Sequence, residues 1–154
     1  MALINADHIN PFLMAATKVL KDICMSEVTI GKPFMKEAVF TDDTVVIMIG
    51  IVGEIQGKMM LEMKDPTALA IASKMCMMPI TALDELSMSA LSELVNMIMG
   101  NAATIFSTNG TIIDITPPKL SRGNEAFTAN FKNLSIPLTF ENNTLYLNMM
   151  IQEG

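Results

Sequence analysis

The sequence predicts a mixed α/β fold of the α+β kind, with two long helices and one short helix gathered on a mostly antiparallel sheet. Three observations carry this reading. Apolar residues recur at helical spacing in three segments. Runs rich in Val, Ile and Met, punctuated by glycine, fill most of the remaining chain. No linker, charge run or low-complexity segment divides the 154 residues, a length that supports one substantial core, so residues 1–154 read as a single domain.

Residues 7–25 read as a helix, with Phe12, Ala15, Ala16, Val19, Leu20 and Ile23 on one face and Pro11 tolerated near the start. Val28 to Ala38 reads as a strand interrupted at Gly31-Lys32-Pro33. Thr44 to Gly53 and Glu54 to Met63 read as two further strands, broken by Gly50, Gly53 and Gly57. Asp65-Pro66 opens a helix that runs to about Met77, with Asp65 expected at the N-cap. The longest helix spans about Asp84 to Ser107 and stops at Asn109-Gly110. Thr111 to Thr116 reads as a strand that Pro117-Pro118 breaks. Ala126 to Lys132, Leu134 to Phe140 and Thr144 to Ile151 complete the strands, with a tight turn expected at Asn142-Asn143.

Composition removes several function classes. Hydrophobic residues make up 51% of the chain, so it folds rather than staying disordered. The net charge of −6 does not suit nucleic acid, whose phosphates call for clustered Lys and Arg. No basic amphipathic face suits an anionic membrane, and the apolar run Val45 to Val52 is far shorter than the ~20 residues that span a bilayer. No signal-peptide pattern is visible, and a cytoplasmic location is expected. Cys24 and Cys76 lie apart in apolar helical contexts and read as reduced core residues. His8 is the single histidine and has no suitably spaced Cys or carboxylate partners, so no metal site is expected. Sixteen methionines are unusual; the expectation is core filling, with an adaptable binding surface as the alternative.

The long helix carries the informative pattern. On a wheel of about 100° per residue, Leu91, Leu94, Val95, Ile98, Ala102 and Ile105 form the core face. Opposite them, Ser89, Glu93, Asn96 and Gly100 share an arc of about 60°. By itself such a stripe is an ordinary solvated face. Two of its members are nevertheless poor helix formers. Asn competes with the backbone for hydrogen bonds, and Gly costs about 1 kcal/mol relative to Ala. A helix that accepts both outward has room for a partner to approach closely.

The spacing is more specific than the stripe: Ser89, Glu93 four residues on, Asn96 three further, and Pro118 after twenty-one intervening residues. This resembles the signature of the CheC, CheX and FliY family of CheY-phosphate phosphatases. The stretch from Ser89 to Ala102 is similar to the family's helix almost throughout, and so is the order of elements around it. The resemblance implies a pseudo-two-fold, CheC-like fold in which some members carry a Glu/Asn pair on each of two related helices. Here Leu13 to Lys21 aligns with Met88 to Asn96, placing Lys18 against Glu93 and Lys21 against Asn96. The first site is absent, which is similar to the CheX branch and implies one site per protomer in a homodimer.

The resemblance further implies the chemistry. The substrate is the phospho-aspartate of a CheY-like receiver domain in chemotaxis or another two-component pathway, and the receiver itself holds Mg²⁺ and an active-site Lys. No cofactor of the chain's own is expected. Phosphoryl transfer through a loose transition state rewards positioning over a strong base. The carboxamide of Asn96 accepts a proton from water and donates to a neighbour without adding charge, so Asn96 is assigned the water. Glu93 is assigned to dock on the receiver's Lys. Ser89 and Gly100 belong to the partner-facing stripe, and Pro118 is a structural member of the motif. Two non-catalytic readings compete. One is a receiver-binding module, as in flagellar switch proteins related to the family. The other is an acidic dimer that binds through its methionines.

Overall fold

The computed structural model describes residues 2–3, 8–37, 40–123 and 132–151. In chain order these form β1 (Ala2–Leu3), α1 (Ile9–Cys24), β2 (Thr29–Ile30), β3 (Phe34–Glu37), β4 (Thr44–Gly53), β5 (Ile55–Lys64), α2 (Asp65–Cys76), α3 (Glu85–Thr108), β6 (Ile113–Ile115), β7 (Lys119–Arg122), β8 (Lys132–Phe140) and β9 (Asn143–Ile151). The sheet order is β2-β8-β9-β5-β4-β6, with β3 beside β2 on β8 and β7 beside β6 on β4. All pairings are antiparallel except β1 with β5.

Strand alternation assigns the two faces. Val45, Ile47, Ile49 and Ile51 of β4 and Met59, Leu61 and Met63 of β5 point to the side where the helices pack, and Phe12, Leu20, Leu91 and Leu94 meet them there. Val46, Met60 and Met150 point the other way and cluster with Phe40. That second face also buries a polar chain. Lys36 donates to Glu62, Asn148 donates to Glu62 at 2.8 Å, and Ser135 donates to Asn148 at 2.6 Å. Each polar group of this Lys36–Glu62–Asn148–Ser135 network meets a partner, as a low-dielectric setting demands, whereas among the described residues the Asn133 amide on the same face and the Thr17 hydroxyl are buried without one.

The expected pseudo-symmetry is written in the register. Met59 pairs with Met149, Leu61 with Leu147 and Met63 with Leu145, a pattern symmetric about Leu61–Leu147. The β4–β5 hairpin corresponds to β8–β9, and α1 to α3. Each half lends an edge strand to the other: β3 pairs with β8, and β7 with β4.

Several sequence expectations need correction. Asp65 is not the N-cap of α2; Lys64 takes that position and Asp65 is the first helical residue. Its carboxylate is instead gripped by both terminal nitrogens of Arg122, at 2.6 and 2.7 Å, a bidentate pairing stronger than a cap. The last hairpin turns at Glu141-Asn142, not Asn142-Asn143. Both turn residues have positive φ, 46° and 65°, the geometry of a two-residue type I′ loop. The strand expected at 111–116 is shorter, and β7 follows the proline pair, a short polar strand held by pairing with Val45 to Met48. The expected strand Ala126 to Lys132 lies outside the described residues except for its end. Methionine as core filler holds only in part. Met59, Met60, Met63 and Met99 are buried, but Met14, Met25, Met77 and Met97 are exposed.

Candidate functional site

Asp84 fixes where α3 begins. Its carboxylate accepts the Ser87 backbone N–H at 2.9 Å, and that bond holds the Asp84 carboxyl below the usual carboxylate range. The buried Ser87 hydroxyl donates back to the Asp84 and Ala82 carbonyls. At the far end Asn109 caps the helix, and Gly110 takes a left-handed φ of 90° that lets the chain turn toward β6.

Between these ends Leu91, Leu94, Val95, Ile98, Met99 and Ala102 are buried against the sheet and α1. Each large side chain among them contributes about 1.5–3 kcal/mol, which fixes the rotation of α3. The opposite face, with Ser89, Glu93, Asn96 and Gly100, is exposed along its whole length. The structure thus brings these four together. Glu93 and Asn96 are offset along the axis by about 4.5 Å, and Ser89 and Gly100 by roughly 16 Å.

The polar groups of α3 fall into two kinds. Asn101 donates to the Met97 carbonyl at 2.8 Å, Thr104 to Gly100 at 3.1 Å and Thr108 to Thr104 at 3.0 Å. These side chains are spent on their own helix. Among the described residues Glu93 and Asn96 have no such partner, so their carboxylate and carboxamide are available to something outside the chain. Gly100 is equally unforced: a Cβ there would meet nothing within 4 Å. Among the described residues no packing accounts for the helix-weakening glycine.

Pro118 lies apart from the stripe, at the corner between β6 and β7. The corner is anchored by Gly50, whose N–H donates to the Thr116 hydroxyl at 2.8 Å and whose carbonyl accepts the Thr116 N–H at 2.9 Å. A Cβ on Gly50 would stand 2.9 Å from that hydroxyl, so the close approach needs glycine.

Residues 45–139, well over half of the sequence, match the family described as chemotaxis phosphatase CheX. The chain belongs to the chemotaxis phosphatase CheX family. It is 29% identical over 153 residues to the CheY-P phosphatase CheX of Thermotoga maritima, a match covering 97% of this chain and 99% of that protein. It superposes with a TM-score of 0.80 and 29% identity on a chain of the CheX–CheY–BeF3–Mg²⁺ complex from Borrelia burgdorferi, covering 97% of this chain and 100% of that one. A CheC-like superfamily protein from Shewanella sp. PV-4 gives a TM-score of 0.81 at 27% identity, with the same coverage. The α+β, CheC-like fold expected from the sequence is therefore the fold of this CheX-family chain.

Two residues on the site helix escaped the sequence reading. Leu86 and Met97 are exposed on the same side as Glu93. The signal was present, because the helical wheel that grouped the stripe also places them within about 40° of Glu93.

Proposed function

We propose that this chain removes the phosphoryl group from the phospho-aspartate of a CheY-like receiver domain, with Asn96 orienting the attacking water and Glu93 docking on the receiver's active-site Lys. The observation that carries the reading is an exposed Asn96 one turn from an exposed Glu93, neither with a side-chain partner among the described residues, on the rigidly packed helix of a CheX-family chain. The name of the Thermotoga maritima relative and the CheX–CheY complex from Borrelia burgdorferi support the same substrate class.

In the reaction, water oxygen bonds to phosphorus as the bond from phosphorus to the aspartate oxygen breaks. Inorganic phosphate leaves and the receiver's carboxylate is restored. Mg²⁺ belongs to the receiver, where it neutralises phosphoryl oxygens. The carboxamide oxygen of Asn96 accepts one proton of the water in a hydrogen bond and so aims a lone pair at phosphorus. Such alignment is worth on the order of 10²-fold or more in rate. Glu93 takes no proton. Its charge is directed to the receiver's Lys, where a charge-assisted pair fixes the register of docking. Ser89 and Gly100 keep the surface around Asn96 low, and Pro118 shapes the neighbouring sheet corner. Residues 1–154 act as one such domain, in the cytoplasm, with one site per protomer of a homodimer.

The test is the decay of a phosphorylated receiver domain in Mg²⁺ with and without this protein. Faster decay at substoichiometric protein is expected. Binding without acceleration would instead make the chain a receiver-binding module.

A further inference from the structure

Around Glu93 the exposed face of α3 divides into two neighbouring rows. One holds Ser89, Asn96 and Gly100 and is cleared of bulk: Ser89 is small, and nothing stands within 4 Å of where a Gly100 Cβ would be. The other holds Leu86, Glu93 and Met97 and is the reverse. Leu86 is 52% exposed and Met97 37% exposed, the first two turns before Glu93 and the second one turn after it. The remaining leucines of the helix, Leu91 and Leu94, are fully covered. Solvation alone asks for polar residues on such a face. Apolar side chains flanking a lone charge are instead what an interface uses to exclude water from a polar contact, where pairing of charges is stronger.

We propose that Leu86 and Met97 are docking residues that seat an apolar rim of the receiver domain on either side of Glu93, and so set which receivers are accepted. The proposal rests on the phosphatase reading. The occupant is the receiver because the row is continuous with Glu93 and Asn96. A domain that places its phosphoryl group at Asn96 also covers Leu86 to Met97, a span of roughly 16 Å. A standard interface of about 800 Å² per partner is a patch roughly 30 Å across, wide enough to take in that span. The unbranched thioether of Met97 conforms to surfaces of different shape, which suits recognition of more than one receiver.

The experiment measures affinity for a beryllofluoride-activated receiver and steady-state turnover of the phosphorylated one. Leu86→Ser, Met97→Ser and the double variant are compared with the native protein, thermal melting being followed in parallel. The double variant is expected to raise Kd and KM roughly tenfold, the loss falling on KM, whereas Asn96→Ala loses in kcat. Met97→Leu is expected to rescue most of the affinity. A double variant whose Kd and KM stay within about twofold of native overturns the docking assignment and leaves the phosphatase reading standing. If the native protein binds the activated receiver without accelerating decay, the phosphatase reading fails and the double variant's Kd still decides the docking assignment. If the native protein does not bind at all, both fall.

Discussion

Set against each other, α1 and α3 bury largely matching positions. Ala16 matches Leu91, Val19 matches Leu94, Leu20 matches Val95 and Cys24 matches Met99, and all eight are buried. The exposed stripes also coincide, Met14 with Ser89, Lys18 with Glu93 and Lys21 with Asn96, while Met25, the left-handed cap that ends α1, stands opposite Gly100 in sequence. Yet the stripes have opposite character. On α1 the cations are paired within the chain, Lys18 with Asp22 at 3.1 Å and Lys21 with Glu27 at 3.2 Å, and methionines stand where α3 has small residues. On α3, among the described residues, the polar pair is not engaged within the chain, and the surface on the Gly100 side of Asn96 is low. The fold constrains only the buried set, so the outer stripe is free to follow function. A lysine accepts no proton from water and would repel a receiver's lysine, so on the proposed reading the α1 stripe lacks the groups for a second site of the same kind.

That comparison can be broken at four places. The largest effect is on the shared frame: Leu94→Ala costs about 2–5 kcal/mol in chemical denaturation, whereas Glu93→Ala stays within about 0.5 kcal/mol. Next, giving α3 the charge of α1 through Glu93→Lys weakens binding to an activated receiver by roughly 10²-fold, because like charges then face each other. Gly100→Ala separates helix stability from function. It raises stability by about 0.5–1 kcal/mol, seen as a higher Tm, while slowing receiver dephosphorylation. A variant that is more stable and fully active contradicts close approach at Gly100.

The smallest effect concerns the helix starts. His8 at the start of α1 makes no side-chain cap, whereas Asp84 caps α3. The Asp84 carboxyl is held below its ordinary range by the Ser87 N–H, so its contribution is present above that range and is lost as pH falls through it. Asp84→Ala is therefore expected to lower Tm at neutral pH, with the gap to native closing in acid. A gap constant with pH would contradict a charged cap.

The sequence made the frame of this comparison legible, because helical periodicity placed the buried residues of α1 and α3 and strand alternation placed the β4–β5 hairpin. The stripe was legible as a spacing, and its exposure follows from the packing of α3. Other features of the fold depend on residues far apart in the chain. The Arg122–Asp65 pair joins residues from separate elements, and no local rule ranks it above an N-cap. β7 has little strand character of its own and exists through its pairing with β4. For Leu86 and Met97 two local signals oppose each other, since hydrophobicity favours burial while helical phase puts them outside.

The proposed mechanism turns on Asn96 handling the water. Its most direct measurement is single-turnover decay of a phosphorylated receiver at saturating protein, native against Asn96→Ala, with binding of the activated receiver measured alongside. Asn96→Ala is expected still to bind and to lose on the order of 10²-fold or more of the acceleration. Full acceleration by Asn96→Ala would contradict it.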